Sequence, residues 1–482
     1  MLVTTPNPLA PSWLEVPSDA NALDAAVWSA NTTRDATGAL LIGGVPVADL
    51  ENTYGTPLYV VDEADFRARA TEARASFSRE FERIGSHAKV YYAGKAFLST
   101  AVAAWVDEAG LNVDVCTEGE LAVALAGGVP ADRIGFHGNN KSLAEIDQAV
   151  SIGLGAIVID SLVEIERVAE AARRHGAVQN VRLRVTTGVH ASTHEYLATA
   201  REDQKFGIPL VEAAAAVARI RARPELRFLG LHSHIGSQIF GTAGFEEAAR
   251  RMLELHASLL ETGPVPELNL GGGFGVAYTS VDAAASLAEL ARGIADVVAS
   301  ECARLGIPVP VLAVEPGRVI AAPAGSTLYT VGTIKDVAVT VDEAAADPSG
   351  DARVAVRKYV SVDGGMSDNA RTALYRADYS VRLANRASDA EAALVRIAGK
   401  HCESGDLVVL ADYLPGDVEP GDLLAVPVTG AYCWSLSSNY NHVGRPPVVA
   451  VRDGHARLLV RGETISDLLA RDAGIGAEAT RA

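Results

Sequence analysis

Cysteine is scarce in this chain: four in 482 residues, at Cys116, Cys302, Cys402 and Cys433. Their positions show neither metal-ligand spacing nor a dense disulfide framework. That excludes a cystine-stapled scaffold and points to a reducing cytoplasm. Basic charge is also in deficit. With 42 Lys and Arg against 60 Asp and Glu, the net charge is −18, which excludes the basic face that a nucleic acid or an anionic membrane surface requires. Small charged metabolites stay open, because a local cationic pocket can sit inside an acidic envelope. Long apolar runs are missing as well: no stretch approaches the ~20 residues needed to cross a bilayer. The opening MLVTTPNPLAPSWLEVPSD has no basic start and no apolar centre, so a secretory signal is not expected. What is present, 49% hydrophobic and 21% charged residues, is the balance of an ordinary globular chain. The length suits two or three domains.

From about residue 88 to 320, strand-like runs alternate with Ala-rich segments. The runs are AKVYYAG (88–94), LNVDVC (111–116), RIGFHG (133–138), GAIVID (155–160), NVRLRV (180–185), RFLGLHSHIG (227–236), ELNLGG (267–272) and VLAVEP (311–316). Between them, segments such as LSTAVAAWVDEAG and LVEIERVAEAARRHG repeat apolar residues every three or four positions, which predicts helices. Eight strands with helical connections predict an α/β fold, a (β/α)8 TIM barrel. An open doubly wound sheet is the alternative, but no reversal signal supports it. Beyond 321 the period changes to two, with Gly, Pro and Asp breaks, in STLYTVGTIKDVAVTV, RKYVSVDG, HVGRPPVVAVRDG and ARLLVRGET. That predicts a β-rich domain, sandwich- or barrel-like, with DEAAADPSGDAR (342–353) as an exposed loop. The expected division is an N-terminal segment 1–60, the barrel 61–320 and the C-terminal β domain 321–482. ALLIGGVPV and PLYVVD in the N-terminal segment are expected partly to join the β domain. The Pro-rich first twenty or so residues are expected to be loosely ordered.

HAKVYYAGKAF (87–97) sets Lys95 immediately beyond a strand-like run. A strand-end ammonium among aromatic and small residues is poorly solvated, which lowers its pKa. The neutral amine can then attack an aldehyde; a surface lysine closing a strand is the plainer reading. Catalytic groups in barrels gather at the C-terminal strand ends. Lys95, Asp114, His137, Asn139, His234, Gly271 to Gly273 and Glu315 all fall there. Glu315 in VEPGR follows an apolar strand, and Arg318 three residues on offers it a salt bridge. His232 and His234, two apart, face one side of a strand; a metal would need more ligands, and none lies nearby in sequence. GGGFG (271–275) can bring backbone N–H groups up to a phosphate, and it lacks the dinucleotide G-x-G-x-x-G spacing. Cys402 in HCESGD reads alone as a small buried hydrophobe. In DGGMSDNARTALY, Arg371 and Tyr375 lie four apart and face one ligand if helical, and an arginine fork matches a carboxylate. Asp114 either orients Lys95 or makes a structural hydrogen bond, and Glu120 reads as solvated surface.

The ordered set HAKVYYAGKAF, HSHIGSQ (232–238), GGGFG, EPGR (315–318), CESGD (402–406) and GAY (430–432) resembles the fold-type III pyridoxal-phosphate decarboxylases, from about Leu58 to the C-terminus. The resemblance implies pyridoxal 5′-phosphate as cofactor, held on Lys95 as a Schiff base, and no metal. It implies that Glu315 keeps the pyridine nitrogen protonated and strengthens the electron sink. His234 then stacks on the ring, and Ser237, Gly272, Gly273, Gly317, Arg318 and Tyr432 bind the cofactor. A homodimer with shared active sites is implied too, in which Cys402 of the partner subunit protonates the carbanion left by carbon dioxide. Substrate contacts fall to Arg318, Arg371, Tyr375, Glu403 and Tyr432, with Glu403 on the far ammonium. The arginine pair, Arg318 with Arg371, suits a substrate with an amino-carboxylate at both ends. The expected reaction is therefore decarboxylation of meso-2,6-diaminopimelate to L-lysine, ahead of ornithine, arginine or lysine as substrate. Many family members have proline after the arginine, where this chain has Thr372. Lys205 and Arg184 fall in the region the family uses to line the barrel mouth. A racemase of the alanine-racemase type would need a tyrosine where CESGD offers a thiol. A non-catalytic decarboxylase-like regulator would lack the lysine or the phosphate ligands, and this chain has both.

Overall fold

The computed structural model describes residues 7–189, 205–341 and 354–474; the loop expected at 342–353 lies outside them. The chain divides into two compact units. One comprises Arg67–Val276 and Ala283–Ile320, the other Met1–Phe66, Ala277–Asp282 and Ala321–Ala482.

The first unit is the eight-stranded parallel barrel. Its strands are Ala88–Ala93, Asn112–Val115, Ile134–Phe136, Ala156–Ile159, Gln179–Thr186, Leu226–His232, Glu267–Asn269 and Val311–Val314. Each pairs in parallel with the next, and Val314 returns to register with Val90, which closes the ring. All eight sequence runs become these strands. Parallel strands covered on both faces favour continuous Val, Ile and Leu, and Ala156–Ile159 is buried at every position. The connecting helices are bounded by local chemistry. Ser142 and Glu145 form a capping box on Leu143–Ser151, satisfying two N–H groups that the first turn would leave unpaired. Helix Leu162–His175 buries Ile165, Val168, Ala169 and Ala172, the spacing of a single helical face. It ends on Arg173, Arg174 and His175, cations suited to the negative end of the helix dipole, before Gly176 turns left-handed at φ 61°.

The second unit is built on a long strand, Gly325–Thr340, which runs antiparallel to Leu58–Asp62, Leu423–Pro427 and Val354–Val362. Ala392–Ala398 and Leu407–Pro415 extend the sheet on one side. Val448–Arg452 lies parallel to Leu58–Asp62 and forms a hairpin with His455–Val460. LYVVD of this piece is thus an interior strand, buried at all five positions. The other N-terminal piece, ALLIGGVPV, makes a separate sheet, Thr32–Arg34, Leu40–Ile42 and Val45–Pro46. The loose start expected from the prolines is corrected from residue 7 onward. Leu9, Ala10, Leu14 and Val16 pack on Leu394, Ala411 and Tyr413, and turns close from Ala10 N–H to Asn7 and from Leu14 N–H to Pro11. Apolar contact, which the proline count did not weigh, holds the segment down.

Candidate active site

In the barrel unit the ionisable groups collect at the C-terminal strand ends. Glu315 follows Val311–Val314, with its backbone N–H on the Gly271 carbonyl at 2.9 Å. Its Oε1 accepts Asn269 Nδ2 at 2.8 Å. The same oxygen lies 3.0 Å from His232 Nε2 and 3.5 Å from His137 Nε2. His137 Nε2 is also 3.0 Å from Asp114 Oδ1, and the two imidazoles meet edge to face at 5.0 Å. All five residues are buried. Both Asp114 oxygens, His137 Nε2 and both His232 nitrogens sit off the lines that hydrogen bonds need, so proximity rather than full pairing holds the cluster.

The electrostatics separate these groups. Burial, reinforced by Glu315, drives the Asp114 carboxyl well above its ordinary range. Burial pushes His137 and His232 each down to about 4. Burial also opposes ionisation of Glu315, but the imidazoles of His137 and His232 outweigh it and hold that carboxyl well below its usual range. Burial therefore favours the neutral form of Asp114, while the imidazoles favour the ionised form of Glu315. The partners that His232 lacks in its sequence neighbourhood come from other strands: ligand atoms of His137, His232 and Glu315 lie within 4.8 Å of one another.

Above this floor lies a second set of groups. Arg318 donates Nη2 to Ser237 Oγ at 3.0 Å, so it reaches Ser237, where the sequence had suggested a salt bridge to Glu315. Half-buried His234 accepts the Gly272 N–H at Nδ1, 3.3 Å away, and burial beside Lys95 holds it well below its ordinary pKa. The glycine loop needs an amendment to the sequence reading. A Cβ on Gly271, Gly272 or Gly273 would collide with the carbonyls of Ser233, Glu315 and Gly236. Crowding by neighbouring backbone thus already requires these glycines. The N–H of Gly271 goes to Asn269 Oδ1 at 2.8 Å, and that of Gly272 to His234, so two groups of the supposed nest have partners within the chain. Gly317 packs its bare Cα against Ala93, and Pro316 accepts the Ala93 N–H at 3.2 Å, tying EPGR to the strand that ends before Lys95.

Two expectations for this region are corrected. Lys95 is exposed, so the chain by itself does not provide the poor solvation expected at a strand end. Its charge is nonetheless felt by Asp114, Cys116, Glu120, His137 and His234. Glu120, read as solvated, turns inward and accepts the Cys116 N–H at 2.6 Å; burial raises its carboxyl and pushes the Cys116 thiol up to about 12. Arg184 lies 4.3 Å over the Phe206 ring and Lys205 4.8 Å over the same ring. Sequence reasoning missed Gln238. Its side-chain amide takes both backbone groups of Val276, Nε2 to O at 3.0 Å and N to Oε1 at 3.1 Å, strapping the Ser237 loop to the segment after GGGFG. Its position directly after HIGS was the available signal.

The remaining candidates belong to the β-rich unit. Arg371 is buried, donates Nη1 to Tyr379 OH, and stands 4.4 Å over the Tyr278 ring and 5.5 Å over that of Tyr379. Burial alone would lower its pKa; the phenols of Tyr379 and Tyr278 raise it. Tyr375, four residues on, is 66% exposed. Within this chain the pair does not share one face: helix Arg371–Tyr375 is a short turn that ends at left-handed Arg376, φ 52°. Thr372 donates Oγ1 to the Val408 carbonyl at 3.0 Å and pins this turn to the sheet. Cys402 is exposed, its N–H on Asn441 Oδ1 at 3.2 Å, which corrects the reading as a buried hydrophobe. Exposed Glu403 accepts Ser404 Oγ and Gly405 N–H, each at 3.3 Å. Tyr432 is half-buried in a left-handed conformation, φ 62°, a geometry non-glycine residues adopt only under constraint.

The barrel's donor set fits a cofactor carrying an aldehyde, a phosphate and a ring nitrogen. Lys95 offers an accessible amine and the Ser237–Arg318 pair offers anion donors. Glu315 is a buried carboxylate whose described contacts all fall on one oxygen.

Comparison with known proteins agrees with that class. Residues 64–322 match the family of pyridoxal-dependent decarboxylases at its pyridoxal binding domain, and the chain belongs to this family. The diaminopimelate decarboxylase of Mycobacterium tuberculosis is 52% identical over 451 residues, covering 92% of this chain and 97% of the relative. That of Bacillus subtilis is 44% identical over 441 residues, covering 90% and 95%. A crystal structure of diaminopimelate decarboxylase from M. jannaschii in complex with L-lysine superposes with a TM-score of 0.83 at 30% identity, covering 92% of this chain and 98% of the other.

Proposed function

We propose that this protein decarboxylates meso-2,6-diaminopimelate to L-lysine and carbon dioxide, the last step of lysine biosynthesis, with pyridoxal 5′-phosphate held on Lys95. The observation that carries the reading is Glu315, ionised in the barrel floor and gripped by one oxygen, in a chain 52% identical to a diaminopimelate decarboxylase over nearly its whole length. When bound, the cofactor supplies the electron sink for the bond that breaks as carbon dioxide leaves. The side chains supply everything else. Glu315 keeps a proton on the ring nitrogen, and His234 lies against the ring. Ser237, Gly272, Gly273, Gly317, Arg318 and Tyr432 hold the cofactor. Arg318, Arg371, Tyr375 and Tyr432 orient the substrate, and Glu403 takes its far ammonium. The thiol of Cys402 returns a proton to the α-carbon.

The working unit in this reading is a cytoplasmic homodimer, each site completed by Cys402 of the partner subunit. Among the described residues no helix is long and apolar enough to cross a membrane. The test is purified protein with pyridoxal 5′-phosphate and meso-diaminopimelate, with lysine and carbon dioxide released in equal amounts. Rapid turnover of ornithine with none of diaminopimelate would reassign the substrate, and racemisation without carbon dioxide would reassign the reaction.

A further inference from the structure

Asn269 is fully buried at the end of its barrel strand, and its side chain has two partners. Its Nδ2 donates to Glu315 Oε1 and its Oδ1 accepts the Gly271 N–H, both at 2.8 Å. The Gly271 carbonyl closes the circuit by accepting the Glu315 N–H at 2.9 Å. His232 Nε2, 3.0 Å from the same Oε1, approaches from the adjoining strand. The residues around His232 could be taken for a cation site, since ligand atoms of His137, His232 and Glu315 fall within 4.8 Å of one another. Asn269 argues against that reading. Its amide nitrogen has no lone pair for a cation, yet it occupies the oxygen that the cation would use. The cluster is one amide donor and two close imidazoles around one carboxylate oxygen.

We propose that Asn269 and His232 are positioning residues: they fix Glu315 by Oε1, reserve its other oxygen for the cofactor's ring nitrogen, and tie that carboxylate to the glycine loop. This rests on the reading that Glu315 serves the ring nitrogen. A buried carboxylate with one oxygen held keeps one orientation, and a charge-assisted bond is among the stronger contacts a protein makes. The loop link joins the carboxylate that would face the ring nitrogen to the glycine loop in one hydrogen-bonded circuit.

The experiment measures binding, not turnover. Full-length wild type, Glu315→Gln, Asn269→Asp and His232→Phe are each titrated with pyridoxal 5′-phosphate and with its 1-deaza analogue, which lacks the ring nitrogen. Quenching of protein fluorescence gives Kd. Asn269→Asp retains an acceptor for Gly271 and removes the donor to Glu315. His232→Phe keeps the ring shape without the nitrogen, and reads the same contact should Asn269→Asp fail to fold. Losing the Asn269 hydrogen bond to the carboxylate, or the His232 nitrogen 3.0 Å from it, is expected to cost about tenfold in affinity. Both variants are expected to lose that factor for pyridoxal 5′-phosphate and to match wild type for the deaza analogue. If Glu315→Gln alone discriminates the two ligands, the positioning proposal is overturned while the role of Glu315 stands. If Glu315→Gln does not discriminate them, the underlying reading of Glu315 fails.

Discussion

The guanidinium of Arg371 stands 4.4 Å above the ring of Tyr278. Tyr278 lies in the short segment Ala277–Asp282, which folds with the β-rich unit although barrel sequence flanks it on both sides. Tyr379 completes the cage by accepting from Nη1. A delocalised cation between aromatic faces is held in direction as well as place. Tyr379→Phe is expected to raise KM for diaminopimelate several-fold with little change in kcat. Arg371→Lys is expected to raise it at least tenfold, because a point charge replaces a planar fork. Steady-state kinetics check both; an unchanged KM in Arg371→Lys removes Arg371 from substrate binding.

The barrel interior contains a buried ion pair that no motif announced. Arg182 donates Nε and Nη2 to Glu267 Oε2 at 3.0 and 2.7 Å and Nη2 to Tyr91 OH at 2.8 Å, while Lys89 reaches the other oxygen. Removing one partner of such a pair leaves an uncompensated buried charge, which costs about 3–5 kcal/mol. Glu267→Ala is expected to lose that much in urea unfolding. The double variant Arg182→Met/Glu267→Leu should recover most of it.

Acid sensitivity has an identifiable source in His256. It is fully buried on helix Ala243–Leu260, both ring nitrogens lack hydrogen-bond partners among the described residues, and burial pushes it down to about 4. Between its ordinary value of 6.5 and that lower one, the unfolded chain binds the extra proton. The stability it contributes is therefore complete above pH 6.5 and falls as pH drops toward 4, by roughly 1.4 kcal/mol per pH unit for one proton. His137 and His232 act with the same sign. His256→Leu is expected to flatten this decline by about one proton's worth, read from unfolding midpoints at successive pH values.

The proposed sharing of sites between subunits is checked by mixing. In the proposed homodimer, the Lys95→Ala and Cys402→Ala proteins are each expected to be nearly inactive yet folded, since both side chains are exposed. After subunit exchange, statistical heterodimers carry one intact site each, and about a quarter of wild-type activity should return. No recovery in the mixture, with exchange verified, would place both residues in sites built from a single chain.

The barrel was legible because its strands are covered on both faces, leaving apolar runs such as AIVI and VLAV that a short window detects. In the second unit the strand Gly325–Thr340, buried at its start and exposed further on, was legible by the alternation of its sequence, whereas LLAVP, buried throughout, has no alternation to detect. Glu120 was misread for a comparable reason. Its helix position is polar, and only the turn back to the Cys116 N–H makes it an interior group. Arg371 and Tyr375 have the spacing of a shared face, but one short turn with a left-handed end puts one in the core and the other in solvent.

By itself the sequence determined the residue types at the strand ends and their order: the amine of Lys95, the glycine loop, the carboxylate of Glu315 and the thiol of Cys402. Those follow from local pattern, which one stretch of chain carries alone. Tertiary structure decided which groups meet. Asp114, His137, His232, Asn269 and Glu315 come from five different strands, and only closure of the barrel brings them within a few ångströms. Their tendencies to ionise were set there too, because removing these groups together from water pushes Asp114 and Glu315 in opposite directions.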